Sequence, residues 1–253
     1  MLLLIDIGNT NTTIGVYDKG IKHVLKSKTV IDGGKDNLSF LLNNFIKKHQ
    51  MKAPEGAAIC SVVPQATPLI ATAIRKVFRI DPLIVSSKIK TGLKFKIKNP
   101  ATLGADRLAA AVGAHKLYKG DLIVVDFGTA TTLCVVTANG EYRGGAIMPG
   151  IGISAEALHE KTAKLPRVKL KPPAPERAIG RDTAENILAG LVLGHAGGVE
   201  RIIKEIKIEA GIKPKVIATG GMADLVSPYI KTIWAVNHFL TLEGLRIIHE
   251  LNA

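Results

Sequence analysis

Aromatic residues are scarce: 6 Phe, 4 Tyr and 1 Trp make up 4% of a 253-residue chain that is 47% hydrophobic. The core is therefore expected to be built from Ile, Leu, Val and Ala, and at this length it needs no staples. Cysteine is nearly missing as well. Cys60 and Cys134 each sit inside an apolar run, ICSVV and LCVVT, where a buried thiol is inert, as in a reducing compartment. Neither belongs to a CxxC or CxxH pair, which excludes the short zinc and thioredoxin-type motifs. No apolar run approaches the ~20 residues of a membrane span. The opening MLLLID has no basic leader and meets Asp6, so it reads as a strand and not as a secretion signal. A cytoplasmic chain with no membrane partner is expected. Acidic residues are in short supply, 21 against 34 basic, for a net charge of +13. Such a balance suits either nucleic acid or anionic small molecules. The lysines are scattered in ones and twos, as in KSK and VKLKP, with no interleaved aromatics, so no nucleic-acid face is expected. The seven histidines show no ligand spacing.

What is present is a repeat. MLLLIDIGNTNTTIGVYDKG opens the chain, and DLIVVDFGTATTLCVVTANG follows from Asp121. Aligned without gaps, Leu2, Asp6, Gly8, Thr12, Val16 and Gly20 recur as Leu122, Asp126, Gly128, Thr132, Val136 and Gly140. After each copy the pattern continues as further strands and then alternating helices and strands. Strands are expected near 2–6, 12–17 and 23–30, with a helix over 36–50. A strand at GAAICSVVP, a helix at TPLIATAIRKVF, a strand at PLIVS and a helix at GADRLAAAVGAHKLY follow. The second half repeats three strands, then a helix at GISAEALHEKTAKL and a long helical stretch from Arg181 loosened by Gly190, Gly194, Gly197 and Gly198. KVIATGG reads as a strand ending in a glycine turn, GMADLVSPY as a short helix, TIWAVN as a last strand and LTLEGLRIIHEL as a last helix. The Lys-rich segment 88–102 and the Pro-rich segment 165–178 read as loops. This is a duplicated α/β architecture with a boundary near Lys119–Gly120. A cleft between two similar halves is the usual ligand location.

The doubled turn has chemistry. Glycine lets backbone N–H groups approach a ligand, and consecutive N–H groups form an anion-binding concavity. The hydroxyl and amide side chains add donors, and an Asp at the strand end is a hard oxygen ligand suited to Mg²⁺. A single Asp-x-Gly turn between strands is an ordinary hairpin; two in matching places point to a polyphosphate. Neither is a Walker A loop or a G-x-G-x-x-G turn. A third feature, VIATGGMADL, feeds Gly220 and Gly221 into a helix, as either a plain turn or a surface for a base or ribose.

These features together resemble the two phosphate motifs and the adenosine motif of the acetate and sugar kinase, heat-shock ATPase and actin superfamily. Within it the chain resembles type III pantothenate kinases, through DIGNTNT (6–12), NPATLGADR (99–107), DFGTATT (126–132), GGAIMPGIGISAEAL (144–158) with LPRV (165–168), and IGRDTAENILAGL (179–191). The resemblance implies two ribonuclease H-like domains, 1–118 and 119–253, each a mixed sheet with flanking helices, with the ligand cleft between them. It implies ATP-dependent phosphorylation of pantothenate, the first step of coenzyme A synthesis, by a homodimer. Two other readings stay open: a non-catalytic transcriptional accessory factor of the same family, and a sugar kinase of the same superfamily.

By resemblance, Asp106 matches the catalytic base; by its position alone it is also an ordinary carboxylate in the first turn of a helix. Gly104, Ala105 and Arg107 match the pantothenate-binding segment, although Arg107 also suits a surface ion pair. Thr183 matches a pantothenate contact and also suits a helix start. Asp6 matches the acid that orients Mg²⁺. Ile7, Gly8, Asn9, Thr10, Asn11, Thr12 and Thr13 match the ATP cradle, with Thr129, Gly220 and Gly221 as further ATP contacts. Asp126 matches a site for a monovalent cation, K⁺ or NH₄⁺. One position departs from the pattern: Ile97 stands where relatives often carry an aromatic that touches substrate, which keeps apolar packing and removes any hydroxyl contact.

Overall fold

The computed structural model describes residues 1–29, 35–170 and 177–253. By contacts the chain divides into two units, Met1–Leu117 with Phe239–Ala253, and Tyr118–His238.

The first unit begins with three antiparallel strands, β1 (Leu2–Ile7), β2 (Asn11–Tyr17) and β3 (Ile21–Lys28), followed by α1 (Lys35–Lys48). Then come β4 (Gly56–Ser61), α2 (Ala66–Phe78), the two-residue strands β5 (Leu83–Ile84) and β6 (Lys94–Phe95), and α3 (Ala105–Leu117). The sheet order is β3-β2-β1-β4-β5, with β4 parallel to both β1 and β5. β1 is an almost unbroken apolar run because it is central and covered on both faces. Side-chain alternation along it decides which residues meet which helices. Leu3, Ile5 and Ile7 join a core with residues of α1 and α2, including Leu42, Ile70 and Ile74. Leu4 joins the opposite core with Ala58, Cys60, Leu108 and Leu245. Asp6 has the parity of Leu4, so the fold places it on the side that α3 covers. β3 is an edge strand, and three of its four exposed positions, Lys22, Lys26 and Lys28, carry charge that discourages strand addition.

The second unit repeats the plan. β7 (Leu122–Phe127), β8 (Ala130–Val136) and β9 (Glu141–Pro149) are antiparallel neighbours. α4 (Ile151–Glu160) and α5 (Thr183–Ala210) follow, then β10 (Lys215–Thr219), α6 (Ala223–Val226) and β11 (Ile233–Val236). Within the unit the strands lie in the order β11-β10-β7-β8-β9, with β10 parallel to β7 and to β11. Ile123, Val125 and Phe127 pack with Val192, Val199 and Ile203 of α5. The duplicated α/β fold expected from the repeat is therefore observed.

Several elements differ in extent from the sequence expectation. α4 stops at Glu160, short of Leu165, and β5 keeps only two residues of PLIVS. The segment 88–102 contains β6 and a single 3-10 turn at Pro100–Thr102. α5 runs unbroken for 28 residues through its four glycines. Each glycine costs a helix about 1 kcal/mol, and the buried stripe Ile187, Val192, Ala196, Val199 and Ile203 outweighs that cost. The last Pro-rich residues of the loop expected at 165–178, 171–176, and the strand end expected at Val30 lie outside the described residues.

The expected division at 118/119 differs at the C-terminus. α7 (Leu240–Asn252) packs on α3 in the first unit. The reason is two glycines. A Cβ on Gly244 would lie 1.8 Å from the Ala109 carbonyl oxygen, and one on Gly113 would lie 2.5 Å from that of Leu240. Only glycine at both positions lets the two backbones come this close.

Candidate active site

The first turn joins β1 to β2 through Gly8, Asn9 and Thr10. Gly8 N–H donates to the Asn11 carbonyl at 3.0 Å and closes it. Asn9 and Thr10 are exposed at its tip, whereas the Ile7 and Thr12 side chains are buried. Of the seven residues expected to cradle ATP, Ile7 to Thr13, Ile7 and Thr12 thus offer a ligand only their backbone.

Behind the turn lies a pair of acids. Asp6 stands opposite Cys60 in the parallel β1–β4 register, and the Cys60 thiol donates to Asp6 Oδ1 at 3.2 Å. Burial pushes the Asp6 carboxyl up to about 6 from 3.8; the thiol bond opposes this, the nearby charge of Asp106 adds to it, and Lys26 opposes it weakly. Burial above all, then the Asp6 charge, pushes the Cys60 thiol well above its ordinary value. Oδ2 of Asp6 has no hydrogen-bond partner among the described residues. Asp106 sits in the first turn of α3, where its Oδ1 accepts from the Arg107 N–H at 2.7 Å. A Cβ on Gly104 would lie 2.5 Å from the same oxygen, so glycine precedes the helix to make room for the carboxylate. Ala105 is buried, while Asp106, Arg107 and Ile97 are half-buried. The first unit thus brings Asp6, Cys60, Gly104 and Asp106 into one neighbourhood.

The second turn joins β7 to β8 through Gly128 and Thr129 alone. Asp126 Oδ1 packs against glycine on two sides: a Cβ would come within 3.3 Å of it from Gly128 and within 2.3 Å from Gly220. Gly220 adopts φ +94° and would also press on the Phe127 backbone. Met222 N–H donates to the Phe127 carbonyl at 3.0 Å. The glycine that the sequence associates with adenosine thus has a local duty, to fit beside Asp126. Thr129 and Gly221 are exposed.

Thr183 opens α5 and is exposed. Its segment is a helix-start device: Asp182 accepts from the Glu185 N–H at 2.8 Å, and Glu185 accepts from the Arg181 N–H at 2.8 Å. A Cβ on Gly180 would meet Asn186 N at 2.4 Å. Part of the IGRDT pattern is thereby explained by local folding.

Three residues at these turns were not legible in advance. Thr29, just beyond β3, donates through its hydroxyl to the Gly8 carbonyl at 2.6 Å and through its N–H to the Thr10 carbonyl at 3.0 Å. His195 of α5 is buried and shares a 2.9 Å hydrogen bond with Thr131, and burial lowers its pKa. Gly150 presses its backbone on the second turn, where a Cβ would lie 2.2 Å from the Thr129 carbonyl oxygen. An isolated Thr, His or Gly has no spacing signal; only the strand register shows what it faces.

Comparison with known proteins gives the family and the fold. Residues 2–205 match the sequence model of a family described as type III pantothenate kinase. A type III pantothenate kinase from Syntrophus aciditrophicus (strain SB) is 44% identical over all of this chain and all of its own length. Among solved structures, a protein of the Baf family of transcriptional activators from Campylobacter jejuni superposes with a TM-score of 0.60 at 20% identity, covering 99% of this chain and 98% of its own. An N-acetylglucosamine kinase from Porphyromonas gingivalis does so at 0.51 and 13%, with both chains covered fully. These two show a shared fold.

Proposed function

The chain belongs to the type III pantothenate kinase family, and from that membership we propose that it transfers the γ-phosphoryl group of ATP to the primary hydroxyl of pantothenate. The products are ADP and 4′-phosphopantothenate, and the reaction opens coenzyme A synthesis. The observation that carries this reading is the full-length 44% match to a pantothenate kinase. The nearness of Asp106, at the start of α3, to Asp6 in β1 supports it.

Phosphoryl transfer needs positioning and charge compensation more than covalent chemistry. Asp106 receives the proton of the attacking hydroxyl. It acts by its place beside the hydroxyl, at the start of α3, and not as a strong base. Gly104, Ala105, Arg107, Ile97 and Thr183 are the residues assigned to pantothenate, with Arg107 suited to an anionic group. Residues 6–13, Thr129, Gly220 and Gly221 are assigned to ATP. Asp6 suits Mg²⁺: its buried carboxylate has an oxygen with no partner among the described residues and a pKa raised by lack of solvent. Magnesium characteristically takes one or two carboxylates and completes its shell with phosphate oxygens and water, and when bound it offsets the phosphate charge. Asp126, set between two glycines, is assigned to K⁺ or NH₄⁺.

No helix among the described residues is long and apolar enough to cross a membrane, and a cytoplasmic homodimer is the form we assign; sedimentation as a monomer would remove the dimer. The test is direct. Purified protein with ATP, Mg²⁺, K⁺ and pantothenate yields ADP and 4′-phosphopantothenate, and a sugar panel yields none. Absence of pantothenate-dependent ADP would overturn the reading. Replacement of K⁺ by Na⁺ lowers the rate; an equal rate removes the monovalent-cation assignment.

A further inference from the structure

We propose that Thr29 is a positioning residue that aims the backbone donors of the first turn at the phosphates of ATP. The Thr29 hydroxyl donates to the Gly8 carbonyl at 2.6 Å, and its N–H donates to the Thr10 carbonyl at 3.0 Å. Thr12 Oγ1 lies 3.1 Å from Thr29 Oγ1. A hydroxyl has one proton, and that of Thr29 is given to Gly8. The Thr12 hydroxyl is therefore the donor to Thr29. A relay runs from the buried start of β2, through Thr29, to the tip of the turn.

Peptide planarity converts this clamp into an orientation. In a trans peptide the carbonyl of one residue and the N–H of the next point in opposite directions. Holding the Gly8 and Thr10 carbonyls toward β3 turns the N–H groups of Asn9 and Asn11 to the other side. Asn9 is exposed, and its N–H has no partner among the described residues. A fixed, unspent donor at an exposed turn is what an oxyanion needs, because no reorganisation is required when the ligand arrives.

The repeat offers an internal control. Strand pairing sets Asn11 opposite Lys28, and Ala130 opposite Pro149. The residues one step further on, Thr29 and Gly150, are therefore counterparts. In the second unit the turn has one residue fewer, and it closes onto this position: a Cβ on Gly150 would lie 2.6 Å from the Gly128 carbonyl oxygen and 2.2 Å from that of Thr129. There the backbone alone fills the place. The extra residue of the first turn opens a gap, and the Thr29 side chain fills it with a hydrogen bond. Thr29 is thus tied to the feature that distinguishes the first turn from the second.

The inference rests on the kinase reading, and two readouts separate them. Thr29→Val keeps the shape and the backbone bond and removes the hydroxyl. Loss of one aimed hydrogen-bond network weakens MgATP binding, measured calorimetrically without pantothenate, by about tenfold. The KM for pantothenate stays within about twofold, and Thr29→Ser restores ATP binding, since the hydroxyl alone matters. Thr12→Val, which removes only the donor to Thr29, produces a smaller loss in the same direction. Unchanged ATP binding in Thr29→Val, or failure of Thr29→Ser to restore it, overturns the clamp while leaving the kinase intact. The nucleotide-free protein gives the second readout: amide exchange over Gly8–Asn11 quickens in Thr29→Val. Exchange at the wild-type rate overturns the clamp whatever the protein binds. A wild-type chain that binds no MgATP overturns the kinase reading and the purpose of the clamp together.

Discussion

The two copies of the strand-turn-strand unit share a plan and differ in how each is held. In the first, Asp6 faces Thr13 across the β1–β2 pair, and the turn is Gly8–Thr10. In the second, Asp126 faces Thr132, and the turn is Gly128–Thr129. The first turn is longer by one residue. Thr12 and Thr131 are therefore the structural counterparts, both buried, although a gapless alignment pairs Thr12 with Thr132. Their hydroxyls find different partners, Thr29 in one unit and His195 in the other. The acids differ similarly. Asp6 is bonded to a thiol on the adjacent parallel strand, while Asp126 lies beside Thr219 of β10 and against the glycine that follows it. The first copy thus carries a longer turn with an unspent N–H at Asn9, and the second a carboxylate packed against Gly128 and Gly220.

The largest expected effect asks whether the chemistry belongs beside the first turn. Asp106→Asn removes the proton acceptor and lowers kcat by about 10²–10⁴-fold, with the circular dichroism spectrum unchanged. A variant with wild-type turnover would take Asp106 out of the reaction.

Next comes the packing contrast. Gly220→Ala places a methyl 2.3 Å from Asp126 Oδ1 at φ +94° and destabilises the protein by about 2–4 kcal/mol. Gly8→Ala meets only the Asn11 carbonyl oxygen at 3.0 Å and costs about 1 kcal/mol. Urea unfolding of the two variants side by side tests the claim that the second turn is the tighter; equal losses would contradict it.

The Asp6 carboxyl gives a pH-dependent contrast. Its folded pKa of about 6 exceeds the ordinary carboxylate value of 3.8, so the folded state binds this proton more tightly than the unfolded chain. Its contribution to stability is full below about pH 4 and is lost as pH rises toward 6. In metal-free protein Asp6→Asn should therefore gain up to about 3 kcal/mol relative to wild type between pH 4 and 7. A stability difference independent of pH would mean that Asp6 is not the strained group. The smallest effect concerns Cys60. Its thiol bond lowers the Asp6 pKa, so Cys60→Ala should move the same pH transition upward by a few tenths of a unit, and Cys60→Ser should leave it nearly in place. A downward movement in Cys60→Ala would refute the bond's role.

Much of this was legible in the chain. The recurrence of Asp, Gly and Thr over an apolar strand announced the duplicated α/β fold. The segment GADR announced a helix start carrying an acid. The shorter second turn was hidden because both copies keep Asp-x-Gly and a run of hydroxyls, so an alignment without gaps loses nothing visible. Thr29 was hidden because a threonine after an edge strand is ordinary. The attachment of α7 to the first unit was hidden because Gly113 and Gly244 are far apart in sequence and only their mutual approach gives them meaning.

The sequence by itself determined the repeated strands, the two acids at their ends and the family to which the chain belongs, because periodicity and short motifs are local properties of a polymer. Only the tertiary structure decided what each acid and each turn rests against. Those neighbours, Cys60 for Asp6, Gly220 for Asp126 and Thr29 for the first turn, come from distant segments through strand register, and a register is fixed by packing a whole sheet at once.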